Sequence, residues 1–222
     1  MSLILNIDTA LERASVCLAR NGAAMTTETS DEQRDHAAWL HPAIERIMAK
    51  DACKWSDLTA VAVSIGPGSY TGLRVGLSTA KGFCFALGIP LVTVGTLEII
   101  AATVQDAAAG LICPLIDARR MEVYAALYDK ELNEILPPYA FNLEAGHFQE
   151  ILDKEPVLFC GNGSPKVQSM VSHPHASFSN SAPDPLALSR LSYRNLKQGQ
   201  IADLAYSEPL YIKEFYTPAR RN

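Results

Sequence analysis

The sequence predicts an α/β protein made of two similar halves. Three observations carry this. An antiparallel strand meander opens the chain, a strand–turn–helix–strand unit follows, and the opening strand with its closing aspartate recurs half a chain later. In the meander, Leu3 to Ile7 is an apolar run ending at Asp8, and Ala14 to Ala19 follows a short polar turn. Asn21-Gly22, a hairpin signal, leads into Ala23 to Thr29.

From Asp31 to Lys50 the period becomes helical, with Ala37, Leu40, Ile44, Ile47 and Met48 on one face. Pro42 inside this stretch predicts a kink or a restart, because proline in a helix interior costs about 3 kcal/mol. Leu58 to Ile65 reads as a buried strand that ends abruptly at Gly66-Pro67-Gly68-Ser69. A helix from Thr71 to Leu87, a strand from Leu91 to Val94 and a helix from Leu97 to Val104 complete a βαβ crossover.

The strand closing on Asp8 then has a counterpart in Ile112 to Asp117, each followed by a polar turn and an apolar strand, Ala14 to Ala19 and Val123 to Tyr128. This divides the chain into domains of residues 1–104 and 105–222, the last segment being free to pack back on the first domain. In the second half we read a break at Pro137-Pro138, a helix from Glu144 to Lys154 and a strand from Pro156 to Cys160. A loop from Ser172 to Pro185 and a helix from Pro183 to Lys197 follow.

Composition narrows the function. With 48% hydrophobic and 19% charged residues the chain has enough apolar material to fold. Nineteen basic against 24 acidic residues leave a net charge of −5, and apart from Arg220-Arg221 no basic block stands out. A stand-alone RNA binder draws most of its affinity from neutralised phosphates, so any RNA contact is expected through a partner. The five cysteines are scattered singly without a CxxC pair, which predicts free thiols in a reducing compartment. The amino terminus reads as a strand instead of a signal peptide, and no apolar run reaches spanning length, so a cytoplasmic protein without a membrane partner is expected.

The most specific local string is Gly66-Pro-Gly-Ser-Tyr-Thr-Gly-Leu-Arg-Val-Gly76. A glycine-rich turn opening a helix can offer backbone N–H groups to an anion, with Ser69 and Thr71 as capping or phosphate-touching hydroxyls beside Gly66 and Gly68. It can equally be a tight turn that lets the helix pack, and it matches neither GxxxxGK[ST] nor GxGxxG. Asp8 closes its strand where phosphate chemistry is often placed, but neither Asp8-Thr-Ala nor Asp117-Ala-Arg supplies the glycine of a DxGxT clamp.

Along the helix, Gly72, Gly76, Ala80 and Cys84 form a small-residue stripe at four-residue steps. Helix-interior glycine costs about 1 kcal/mol against alanine, so the stripe must be repaid by close packing, against either a neighbouring helix of the same chain or another subunit. His36 and His41 are five residues apart, a spacing that does not put two ligands on one helical face, and no GxSxG elbow surrounds Ser69. No metal ligands or catalytic residues are assigned.

The string Gly66 to Gly76, together with Ile7-Asp-Thr-Ala10, Ile116-Asp-Ala-Arg-Arg-Met-Glu-Val-Tyr124 and Glu208-Pro-Leu-Tyr-Ile-Lys213, resembles the TsaB (YeaZ) family over nearly the whole chain. The resemblance implies the actin-like ASKHA fold, with two related ribonuclease-H-like domains. It also implies a place in the machinery that forms N6-threonylcarbamoyladenosine at adenosine 37 of tRNAs reading ANN codons. In that machinery a paralogous subunit, TsaD, holds metal through an HxxxH pair and performs the transfer, while the ATPase TsaE joins the complex.

The resemblance therefore implies a non-catalytic chain that meets a TsaD-like subunit, contacts tRNA only indirectly and forms a homodimer when alone. By motif position, the interface is expected at Leu40, Ile44, Ile47, Gly72, Gly76, Ala80, Cys84 and Leu87. The chain needs no cofactor by itself, and ATP or ADP would sit at the junction of the complex. Two other readings stay open: a small-molecule kinase of the same fold using Asp8 and the Gly66 to Gly76 turn, and a metallopeptidase-like hydrolase.

Overall fold

The computed structural model describes residues 1–32, 35–144 and 146–213, so Arg220-Arg221 lie outside the described residues. The first sheet holds β1 (Leu3–Asp8), β2 (Ala14–Arg20), β3 (Ala23–Ser30), β4 (Ala60–Ser64) and β5 (Leu91–Val94) in the order β3-β2-β1-β4-β5. The second holds β6 (Leu111–Asp117), β7 (Glu122–Tyr128), β8 (Glu134–Asn142), β9 (Val157–Cys160) and β10 (Ala176–Ser179) in the order β10-β9-β6-β7-β8.

The two sheets have one connectivity. In each, the first strand pairs antiparallel with the second and the second with the third, while the fourth lies parallel to the first and the fifth parallel to the fourth. The recurrence of strand, aspartate and turn is thus a structural equivalence, down to a shared detail. The Ala10 N–H donates to Asp8 Oδ1 at 3.0 Å and the Arg119 N–H to Asp117 Oδ1 at 2.6 Å, the same two-residue aspartate turn in both halves.

The helices are α1 (His36–Lys50), α2 (Tyr70–Leu87), α3 (Thr96–Val104), α4 (Gln149–Leu152), α5 (Ser164–Gln168) and α6 (Pro185–Lys197). Four local expectations change. α1 runs unbroken through Pro42, whose ring is on the exposed face where the unpaired carbonyl before it can meet water. Pro137 and Pro138 do not break the chain but lie within β8, an edge strand, where the register against β7 shifts between Ala125 and Leu127 and makes room for the missing N–H groups. The helix expected from Glu144 to Lys154 shrinks to the single turn of α4. The Ser172 to Pro185 loop contains β10, a strand held by β9 alone and by Phe178 stacking on Phe159 at 5.4 Å.

Alternation along the central strands builds two apolar layers on the first sheet. Leu5, Ile7, Val61 and Val63 pack with Leu40, Ile44 and Ile47 of α1 and with Leu77 and Ala80 of α2. Ile4, Ala60, Ala62, Val92 and Val94 face the other way, onto Ile99 of α3 and Ala187, Leu188 and Leu191 of α6. α3 is apolar on two faces because it is covered by both sheets: Ile99 meets the first, while Leu97, Ile100 and Ala101 reach Ile112, Ile116 and Ala126 of the second.

α6 follows the second sheet in sequence but rests on the first. Ser192 Oγ donates to the buried Asn6 Oδ1 at 2.6 Å, and Ser189 Oγ lies 3.3 Å from Cys17 Sγ. The segment after α6 continues along the first sheet, where the Ala202 N–H donates to Leu91 O at 2.9 Å and the Leu210 N–H to Ile65 O at 2.7 Å. The five cysteines are free thiols, and burial pushes that of Cys113 up to about 12. Among the described residues no helix is long and apolar enough to cross a membrane.

The small-residue stripe of α2 is taken up by the chain's own packing. A Cβ on Gly72 would stand 2.0 Å from Thr9 O, and one on Gly76 would stand 2.4 Å from Thr9 Oγ1. Ala80 and Cys84 continue the same buried face. Gly82 is different: it is exposed, and a Cβ there meets nothing within 4 Å. Gly76→Ala is therefore expected to lower the unfolding free energy in urea by about 1–3 kcal/mol through overpacking. Gly82→Ala should raise it by up to about 1 kcal/mol through helix propensity alone.

Candidate functional site

The Gly66 to Ser69 turn spends its polar groups within the protein. Gly66, at φ 116°, accepts from the Thr96 N–H at 2.8 Å, and its missing Cβ makes room for Leu210 O. A Cβ on Gly68 would be 2.3 Å from Ala10 O, the same carbonyl that accepts the Ser69 N–H at 2.7 Å. Ser69 Oγ caps α2 by accepting from the Gly72 N–H at 3.3 Å.

Asp8 is only 3% exposed, and its Oδ1 accepts from Ser64 Oγ at 2.5 Å as well as from the Ala10 N–H. Burial holds its carboxyl above the ordinary carboxylate range, against the lowering by those hydrogen bonds and by His36. Asp8 is thereby shut away from solvent. Of the five residues considered for nucleotide, Asp8, Gly66 and Ser69 serve the turn itself, Gly68 edges the cleft between the halves, and Thr71 is exposed at the start of α2.

That cleft has a volume of about 740 Å³, in the range of ligand sites. Pro67, Gly68 and Tyr70 line one side, the turn between β6 and β7 lines the other, and Leu210 to Lys213 close an edge. The turn presents Arg119 at φ 70° and Arg120 at φ 51°, two consecutive left-handed residues that are neither glycine nor asparagine. It is closed by the Glu122 N–H donating to Arg119 O and the Ala118 N–H to Glu122 O, both at 3.1 Å.

Lys166 braces it from behind, donating to Asp117 Oδ1 and to Arg120 O, each at 2.6 Å. Partial burial pushes the Asp117 carboxyl up, but Lys166 and the Arg119 N–H outweigh it and hold the group below the usual range. Across the cleft Lys213 pairs with Glu122, and Arg74 stacks 4.1 Å over the Tyr70 ring while its Nε donates to Tyr211 Oη at 3.0 Å. The sequence alone does not reveal this cleft; the pair Arg119-Arg120, in the turn after the repeated aspartate, is the trace of it that the sequence carries.

A second surface lies on the outer side of α1 and α2. Leu40, Ile44, Ile47, Gly72, Gly76, Ala80 and Cys84, expected at a partner interface, are all buried in the chain's own core, and Leu87 is half-buried. The physical reason is the pull of the sheet: the apolar and small stripes of both helices turn toward β1 and β4. The outward face consists of other residues. His41, Ser78, Thr79, Gly82, Phe83 and Ala86 line a shallow groove of about 460 Å³. Beside it Phe85 is 83% exposed, and Phe83 stacks on Trp55 at 5.2 Å. Ser78, Gly82 and Ala86 repeat every four residues, a second small stripe that the first one masked. His36 is buried with Nε2 3.1 Å from Glu12 O, whereas His41 is outside, so the two do not converge.

A repeated five-stranded sheet of this connectivity, with α3 between the halves and a cleft at the two aspartate turns, defines a two-domain α/β protein of the ASKHA class. Residues 27–207 match the family model described as TsaD, tRNA N6-adenosine threonylcarbamoyltransferase. The chain is 32% identical over 173 residues to the tRNA threonylcarbamoyladenosine biosynthesis protein TsaB of Bacillus subtilis, covering 76% of this chain and 74% of that one. To the TsaB of Escherichia coli it is 35% identical over 135 residues, 60% of this chain and 57% of the other. The structure of YeaZ from Pseudomonas aeruginosa superposes with a TM-score of 0.82 at 27% identity, over 95% of this chain and all of that one. The chain belongs to this family, within its TsaB (YeaZ) branch.

The enclosure of Asp8 carries a pH signature. Its folded pKa is raised above the unfolded value, so its contribution to stability is complete below the unfolded pKa near 3.9 and is lost as pH rises through the folded pKa. The unfolding free energy of the wild type is expected to fall relative to that of Asp8→Asn as pH increases from about 4 toward neutrality, measured by urea titration at each pH.

Proposed function

We propose that the chain is a non-catalytic subunit in the formation of threonylcarbamoyladenosine on tRNA. It docks a TsaD-like transferase through the outer face of α1 and α2, in a cytoplasmic complex that a TsaE-like ATPase joins. The observation that carries this reading is the groove of Ser78, Gly82 and Ala86 flanked by the exposed Phe85. Small side chains let a second helix approach closely, and an aromatic anchor at the rim is the kind of residue that concentrates interface energy. Family membership supplies the partner: the relatives are named for this pathway, and the matching family model is described as its transferase.

In the absence of that partner the same face would pair two copies of the chain. A nucleotide would bind at the junction of the complex and not on Asp8. The enclosure of Asp8 weighs against a small-molecule kinase, which needs that carboxylate at its phosphates, and the divergence of His36 and His41 weighs against a metallopeptidase.

Reconstitution tests the proposal. A mixture of TsaD-like and TsaE-like proteins, threonylcarbamoyl-adenylate and tRNA is expected to modify the tRNA only when this chain is present; equal modification without it would refute the role. Phe85→Asp, on a side chain that the fold does not use, should weaken association with the TsaD-like protein by tenfold or more, about 1.4 kcal/mol, in titration calorimetry. Unchanged affinity would place the interface elsewhere.

A further inference from the structure

The net charge of −5 hides a local reversal at the cleft between the halves. Glu122, the acidic side chain that lines it, is paired with Lys213, and Asp117 at the foot of the turn is paired with Lys166. Among the described residues, Arg119 and Arg120 remain as the cleft's surplus charge. The backbone that carries them is left-handed at both residues, a conformation that glycine or asparagine adopts at lower cost. Lys166 holds it in place by bonding Arg120 O. Two arginines are therefore presented side by side, on a braced turn, into a space of about 740 Å³.

The rest of the lining is aromatic and amide. Tyr124 lines the second half's side with its ring, Tyr70 stands across from it with its own ring under Arg74, and Asn142 offers a donor and an acceptor. Arginines for phosphodiesters, rings for stacking and an amide for base edges are the equipment of a single-stranded RNA site. A free anion would need no rings, and an apolar ligand would need no arginines.

We infer that this cleft binds a short unpaired stretch of RNA, with Arg119 and Arg120 on successive phosphates and Tyr124 stacked on a base. The inference rests on the tRNA pathway proposed above for the choice of nucleic acid. It departs from that reading in giving this chain an RNA contact of its own.

Fluorescence anisotropy of the full-length chain with a labelled, unstructured 12-nucleotide RNA at low salt tests it. Binding is expected to weaken linearly in log affinity against log salt. R119E/R120E should lower affinity at least tenfold and flatten that slope by about 1.4, the share of two single-strand phosphate contacts. Tyr124→Ala should cost about fivefold or more, the loss of one base stack, with thermal melts monitored by circular dichroism confirming that each variant folds.

Absence of salt-dependent binding by the wild type would overturn the assignment, as would equal affinity of R119E/R120E. Displacement of the RNA by an equal concentration of ADP would mark a mononucleotide site and overturn it as well. Association with the TsaD-like protein is measured on the same variants. Retained association with lost RNA binding supports the cleft. Lost association in the wild type strikes the pathway reading, while the anisotropy still decides the cleft.

Discussion

Most of the first half is organised by one close approach, that of α2 to the turn after β1. Thr9 Oγ1 donates to Gly72 O at 2.7 Å, and Thr9 O occupies the space where a Cβ of Gly72 would lie. Backbone can meet backbone at that range only if the helix carries glycine. The same contact draws Ala10 O under Gly68 and Ser69, shuts Asp8 behind Ser64, and turns the opposite side of α2 to solvent. The enclosure of Asp8 and the outward turn of Ser78, Gly82 and Ala86 are therefore two results of one packing choice.

The sequence displayed the architecture well because the architecture is local and repeated. Apolar runs ending at Asp8 and Asp117 mark β1 and β6, and the strand, turn and helix around Gly66 fall where the residues place them. What it displayed poorly was direction. Gly72, Gly76, Ala80 and Cys84 declare close packing, but four-residue spacing does not say against what, and the competitor, Ser78 with Gly82 and Ala86, carries a weaker signal on the same helix. β10 was hidden because Ala176 to Ser179 has one pairing neighbour and little apolar content of its own. The cleft was hidden because Arg119 and Arg120 look like an ordinary polar turn until Tyr70, from the other half, is brought opposite.

The two halves kept one topology and parted in chemistry. At the first aspartate turn the carboxylate is enclosed and its field is spent on a serine hydroxyl and an amide. At the second the carboxylate is open, matched to a lysine, and the turn beyond it carries positive charge. One hairpin geometry thus serves as a packing junction in one domain and as a charged surface in the other. A whole-chain charge count averages the two away.

The crossing of α6 onto the first sheet has a consequence for biosynthesis. Ile4, Ala60, Ala62, Val92 and Val94 are in place once the amino-terminal half has been translated, yet Ala187, Leu188 and Leu191, which cover them, are made near the end of the message. A nascent chain released at the boundary between the sheets would carry an oily, half-finished sheet into solution. That face of the first sheet is completed only when α6 docks, which ties the burial of the first half to residues that lie beyond the second sheet in sequence.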